Sequence, residues 1–262
     1  MDQPLAPQPT PTVTPSIAPS PTIASVGADL KKKQWRNFTI FTVTSVIFWA
    51  LEYAAQFYLY SVGDSAGAWV RSFALTGMTL FSLSLFSSTI FKWFPRTARL
   101  WRWRRWLGVS AFIFITLHML SVIALFFNFN LTYLYFSFNP LVNLIIPGTV
   151  AYIILLVMAS ISTDTMVSKI KPKKWKFIHR FVYLAFIAAM LHFFFVHPVA
   201  IKNAPGYFLT LIVFVTVLSQ VYWFLRIAAR KKFMTRGALV GFGLIALAII
   251  SFWLTNRAQQ GQ

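Results

Sequence analysis

Seven stretches of roughly 20 mostly apolar residues divide the chain, each long enough to cross a bilayer. They run over Phe38–Tyr60, Trp69–Phe91, Trp106–Phe127, Leu141–Ile161, Phe177–Val196, Tyr207–Leu225 and Ala238–Leu254, the last being the shortest. A helix rising about 1.5 Å per residue needs about 20 such residues to cross a hydrocarbon core of roughly 30 Å. Backbone groups facing lipid must be satisfied inside their own helix or around a closed barrel. The runs are continuous and lack period-two alternation, which excludes the barrel. The expected fold is an all-α polytopic membrane helix bundle of about seven transmembrane helices. Composition agrees, with only 11% of residues charged against roughly a quarter in soluble domains.

The formal net charge of +19 would suit a nucleic-acid binder, but its placement argues otherwise. Lys/Arg residues gather at Lys31–Arg36, Lys92–Arg105, Lys169–Arg180 and Arg226–Arg236, which are alternate connections holding 21 of the 24. Arg71, Lys202 and Arg257 are left for the other side. This positive-inside pattern places the amino terminus in the cytoplasm, with anionic lipid contact as a secondary role. No nucleic-acid partner is expected. The absence of cysteine excludes disulfides, thiolate metal sites, iron–sulfur clusters and cysteine nucleophiles.

Residues 1–34 read as a proline-rich, disordered cytoplasmic tail, with seven of the thirteen prolines in the first 30 residues. Residues 35–230 read as one transmembrane domain, and 231–262 as an additional carboxyl-terminal helix and tail. The first apolar run is too long and too far from the start for a cleaved signal, so an uncleaved anchor is expected. Trp93, Trp101 and Trp103 sit among basic residues, as an interfacial aromatic belt does. Pro147, beside Gly148, is expected to kink the fourth helix. No dinucleotide fingerprint or P-loop appears, so any electrons must come from a separate partner.

The four histidines fall in or beside the third and fifth helices. Both helices run the same way, so depths compare directly. At about 1.5 Å per residue, His118 lies roughly 20 Å beyond Arg105 and His192 roughly 24 Å beyond Lys176. Two neutral imidazoles at one level could ligate a planar iron porphyrin from both faces. Equally, each could hydrogen-bond across the bundle without a cofactor. His179 lies near the cytoplasmic face beside Arg180, as a snorkelling residue or as ligand or wall of a second cofactor. His197 reads as interfacial. Arg71 could meet a heme propionate, pair with Glu52, or mark a helix end.

Arg104-Arg105-Trp106-Leu107-Gly108 with Leu117-His118 following, Trp175-Lys176 through His179-Arg180-Phe181-Val182-Tyr183-Leu184 to His192, and Ser160–Thr163 resemble one known family. It is that of the ferric-reductase-like transmembrane domains, and within it the MsrQ-type heme-binding membrane subunits of bacterial methionine-sulfoxide reductase. The resemblance runs from about Arg71 to about Leu225. It implies a heme b with candidate ligands among His118, His179 and His192, and flavin mononucleotide (FMN) as a further cofactor class. It also implies electron flow from a cytoplasmic flavin reductase or the quinone pool to a periplasmic molybdenum-containing reductase. That family has six helices, so the seventh and the proline-rich tail are departures. A self-contained ferric or oxygen reductase, and a transporter or membrane anchor, are the alternatives.

Overall fold

The computed structural model describes residues 23–140, 142–196 and 202–230, with side chains from Trp35 onward apart from a few helical positions. The tail residues 1–22, His197 and the seventh apolar run, Ala238–Leu254, lie outside the described residues. The chain divides at Ile40 into two units. In the first, Thr39 Oγ1 donates to the Trp35 carbonyl at 3.0 Å within the start of helix α1 (Ile23–Ala55), which begins inside the segment read as tail. The second unit, from Phe41 onward, holds everything that follows.

All regular structure among the described residues is helical, and the protein is an all-α polytopic membrane bundle. After α1 and a π-helical turn (Gln56–Tyr60) come α2 (Ser65–Trp93), α3 (Trp101–Leu125), the single turn α4 (Leu131–Leu134) and α5 (Ile145–Ser160). α6 (Asp164–Lys169), α7 (Pro172–Ile178), α8 (Phe181–Val196) and α9 (Ala204–Arg230) complete it. Five helical stretches are long and apolar enough to cross a membrane: Trp35–Tyr60, Ser65–Trp93, Trp103–Leu125, Lys173–Val196 and Ala204–Ile227. The fourth expected span is the shorter α5, whose 16 residues rise about 24 Å.

Two expectations need correction. Pro147 does not kink a helix, because α5 starts only at Ile145. The proline therefore sits in the first turn, where its missing N–H would have had no intrahelical partner. The fifth span is not one helix either. The chain tightens at His179 and Arg180, where Arg180 N–H donates to Phe177 O at 3.1 Å, Val182 N–H to His179 O at 3.4 Å and Tyr183 N–H to Arg180 O at 3.2 Å. These are three-residue spacings of the 3₁₀ kind, and they separate α7 from α8.

α2 is the pillar of the bundle, packing along α3 and α9 while α5 pairs with α8. Its buried positions are rich in small and hydroxyl residues, including Ser72, Thr76, Gly77, Ser82, Ser84 and Ser88. In lipid no hydrophobic effect drives helices together, so close backbone approach and interhelical hydrogen bonds carry the association. A Cβ on Gly77 would come within 2.8 Å of the Ile115 side chain on α3. Ser84 Oγ donates across to Arg104 O at 3.0 Å. On the other flank, Gln220 of α9 directs Nε2 at Leu85 O (2.9 Å), Ser88 Oγ (3.1 Å) and Thr89 Oγ1 (2.9 Å). α1 meets α2 through aromatic stacking, with Trp49 parallel to Phe73 at 5.1 Å and its Nε1 donating to Ser72 Oγ at 3.1 Å.

Gln220 anchors α9 by one amide, so Gln220→Leu should destabilise the bundle by about 0.6–1.7 kcal/mol, the range of measured interhelical hydrogen bonds in membranes. Thermal unfolding in detergent measures the loss; an unchanged midpoint would show that α9 is held without the Gln220 amide.

Candidate functional site

His118 of α3 and His192 of α8 face each other. Their ring centres are 6.4 Å apart and their planes meet at 64°. Both line an apolar cavity of about 490 Å³ between the α2/α3 and α5/α8 pairs, whose lining also includes Phe127, Leu134 and Tyr135. That volume falls in the range of about 300–1,000 Å³ usual for small-molecule and cofactor sites.

Each ring is oriented by a main-chain carbonyl. His118 Nδ1 lies 3.1 Å from Val70 O, and His192 Nδ1 lies 2.9 Å from Leu144 O. A carbonyl only accepts, so Nδ1 must carry the proton in both rings, and each neutral imidazole keeps a lone pair on Nε2. Such a contact fixes both tautomer and ring rotation, as the outer partners of metal-bound histidines do. Gly148, one turn beyond Leu144, completes the seat: a Cβ there would lie 2.8 Å from His192 Cγ and Nδ1.

Two Nε2 lone pairs at this separation can hold one metal between them. With a metal–imidazole nitrogen distance of about 2.0–2.1 Å and the ring centre about 1.1 Å further on, ring centres on opposite faces lie about 6.3 Å apart. The ring centres of His118 and His192 lie 6.4 Å apart, which leaves room for one metal ion where both Nε2 atoms turn inward. Among the described residues no three His, Asp or Glu side chains gather as a metal site. The pair therefore suits a metal whose other ligands arrive with it, as in a planar macrocycle, and not a bare ion that needs three or four protein ligands.

Arg71 also lines the cavity. Of the two carboxylates on this side, it is Asp64 that meets it: Arg71 Nη2 donates to Asp64 Oδ2 at 2.7 Å, while Asp64 Oδ1 caps α2 by accepting from Gly67 N–H at 2.7 Å. Residues seven apart share a helix face, so the cap residue and Arg71 meet naturally. Any Cβ on Gly67 would collide with both side chains. Glu52 is buried on α1 instead, with Oε2 making no hydrogen bond.

His179 and Arg180 sit at the helix break, towards the basic end. The His179 ring stacks on Trp175 at 3.7 Å, with Nδ1 3.1 Å from Trp175 O, and Arg180 is exposed. The structure thus brings His118, His192 and Arg71 around one cavity and keeps His179 with its own helical turn. Asp64 and Gly148 do not stand out by residue type. Asp64 follows Gly63, whose φ is +85°, directly ahead of an apolar run, which is a helix-start signal. Gly148 carries no local signal, because its role depends on a ring from another helix.

The family model described as "Ferric reductase like transmembrane component" matches residues 72–190, which include His118 and end two residues before His192. Residues 72–190 are thus similar to ferric-reductase-like transmembrane components. The chain is 28% identical over 147 residues to the protein-methionine-sulfoxide reductase heme-binding subunit MsrQ of Herminiimonas arsenicoxydans, covering 54% of this chain and 64% of that protein. It is 32% identical over 102 residues to the MsrQ of Rhodospirillum rubrum, covering 36% and 48%. A 94-residue stretch is 32% identical to the magnetosome protein MamZ of Magnetospirillum gryphiswaldense, covering 35% of this chain and 14% of that protein. The matches thus span about half to two-thirds of the MsrQ relatives. No solved structure matches the chain significantly.

Gly148→Ala should push the His192 ring off Leu144 O, although alanine is the better helix former by about 1 kcal/mol. Nitrogen NMR of histidine-labelled, cofactor-free protein should show Nδ1-protonated rings at His118 and His192. In the variant only the His192 signal should move; an unmoved signal would mean that α5 shifts to accommodate the methyl group.

Proposed function

We propose that the chain holds heme b between His118 and His192 and passes electrons across the bacterial cytoplasmic membrane. The donor would be a cytoplasmic flavin reductase or the quinone pool. The acceptor would be an outward-facing, molybdenum-containing reductase of oxidised methionine. The observation that carries this reading is the facing pair of carbonyl-oriented imidazoles, 6.4 Å apart, in an apolar cavity. The names of the MsrQ relatives support both the heme and the methionine-sulfoxide reductase system.

When bound, heme supplies a one-electron iron couple whose potential follows axial ligation and burial. The chain's own residues do the rest. His118 and His192 offer bare Nε2 atoms, each held by a carbonyl, so the ligands are set before the cofactor arrives. The apolar lining keeps water from the metal. Arg71, steadied by Asp64, presents a guanidinium whose fork geometry suits a carboxylate such as a propionate.

Towards the basic end, the concentration of Lys and Arg favours an acidic partner or an anionic flavin. At about 1.5 Å per residue, some 20 Å of α3 separate Arg105 from His118, a long way for one electron step. FMN beside the stacked Trp175–His179 pair would divide that distance. The positive-inside placement of Lys31–Arg36 supports a cytoplasmic amino terminus.

An absorption spectrum of the purified protein, oxidised and then dithionite-reduced, tests the central claim. A b-type Soret shift is expected, and His118→Ala and His192→Ala should each abolish the low-spin spectrum. A protein without bound heme, or one whose spectrum survives either substitution, overturns the assignment. His179→Ala should leave that spectrum intact but remove flavin from the purified protein; flavin retained in full would exclude His179 as its wall.

A further inference from the structure

Asn143 is 2% exposed, in the turn that leads into α5, and both ends of its amide are engaged. Nδ2 donates to Leu134 O at 2.9 Å, and Oδ1 accepts from Ile145 N–H at 3.1 Å. The two bonds end on different walls of the cavity. Leu134 and Tyr135 line it from the segment after α3, while Ile145 lines it from the first turn of α5. A second strut joins the same walls, Tyr135 Oη to Thr149 Oγ1 at 3.1 Å.

Leu144 lies between Asn143 and Ile145, and its carbonyl orients His192. The main chain of Asn143 is itself fixed, donating to Asn139 O at 2.8 Å and accepting from Ile146 N–H at 3.1 Å. With the chain held on either side, the Leu144 carbonyl has one direction available. The other ligand is built differently. Val70, which orients His118, lies inside α2, where the helix fixes its carbonyl. Leu144 is the N-cap of α5, so its carbonyl is held from one side by the first bond of that helix, and its own side chain makes no capping bond. Asn143 holds the turn from the other side.

We infer that Asn143 is a positioning residue for His192. It acts through the Leu144 carbonyl and latches the Leu134–Tyr135 wall over the cavity. The inference rests on the heme site proposed above. Removing an outer partner that orients a metal-bound histidine typically weakens metal retention about 10- to 100-fold.

The test uses the full-length, heme-loaded protein in detergent with Asn143→Leu and Asn143→Ser. Leucine is of similar size but lacks both polar arms. The serine hydroxyl can still accept from a main-chain N–H two residues on, and it is too short to replace the bond to Leu134 O. Heme retention is read by transfer to apomyoglobin, and imidazole orientation by the g-values of the ferric low-spin electron paramagnetic resonance signal.

Asn143→Leu should lose heme about 10- to 100-fold faster, with altered g-values. Asn143→Ser should lose heme faster with g-values close to those of the unaltered protein. Unchanged retention in Asn143→Leu, or faster loss with unchanged g-values, overturns the positioning role, the latter because it marks mere destabilisation. If Asn143→Leu does not give a monodisperse protein, Asn143→Ser decides, and an unchanged transfer rate there overturns the latch. An unaltered protein that carries no heme b defeats the underlying reading instead, and its absorption spectrum distinguishes that outcome.

Discussion

Each of the two facing imidazoles hands its Nδ1 proton to a main-chain carbonyl forty-eight residues earlier in the chain. The site's chemistry follows from that pair of hydrogen bonds. They choose the tautomer, leave Nε2 available, and stop rotation of rings that would otherwise be free to turn in an apolar cavity. They also tie α3 to α2 and α8 to α5 at the level where the site lies. The histidines therefore belong to the helix packing as much as to the cofactor. The two helix pairs are built alike, each presenting one imidazole from its second helix, anchored on its first.

That arrangement needs close helix approach, which in lipid comes from small residues and polar contacts and not from hydrophobic burial. α2 meets the need with its hydroxyl-rich buried face, Gly77 against Ile115, and the amide of Gln220 reaching three acceptors. Gly148 meets it between α5 and α8. Without a methyl group at that position His192 can lie against the helix and reach Leu144 O. A histidine pair set in a loosely packed bundle would have the same sequence spacing but no fixed separation.

The bundle itself is legible in the sequence because membrane helices are dictated by length and polarity, two properties local to each segment. The shared depth of His118 and His192 is legible for a similar reason, since rise per residue converts position to height. What escapes is whatever depends on contacts between segments. Pro147 reads as a kink until the start of α5 is known. Glu52 reads as a partner for Arg71 until Asp64, a helix cap by sequence, proves to be the carboxylate in contact. The break at His179–Arg180 is hidden inside an apolar run, because hydropathy does not register whether a helix winds evenly. Nothing in the sequence singles out Asn143, and only the walls it joins reveal its place.

The shortness of α5 and α8 has a further consequence. Each contains 16 residues, about 24 Å of helix against a hydrocarbon core of roughly 30 Å. The remaining depth is crossed by irregular chain: the segment ahead of α5 at one end, and the turn between α7 and α8 at the other. Peptide groups outside a regular helix at that depth cannot turn to water and must find partners within the protein. Asn143 supplies two of those partners ahead of α5, and the tight turn around His179 bonds its own amides before α8. These polar contacts hold the places where the chain is unwound, and those places adjoin both ends of the electron path proposed above.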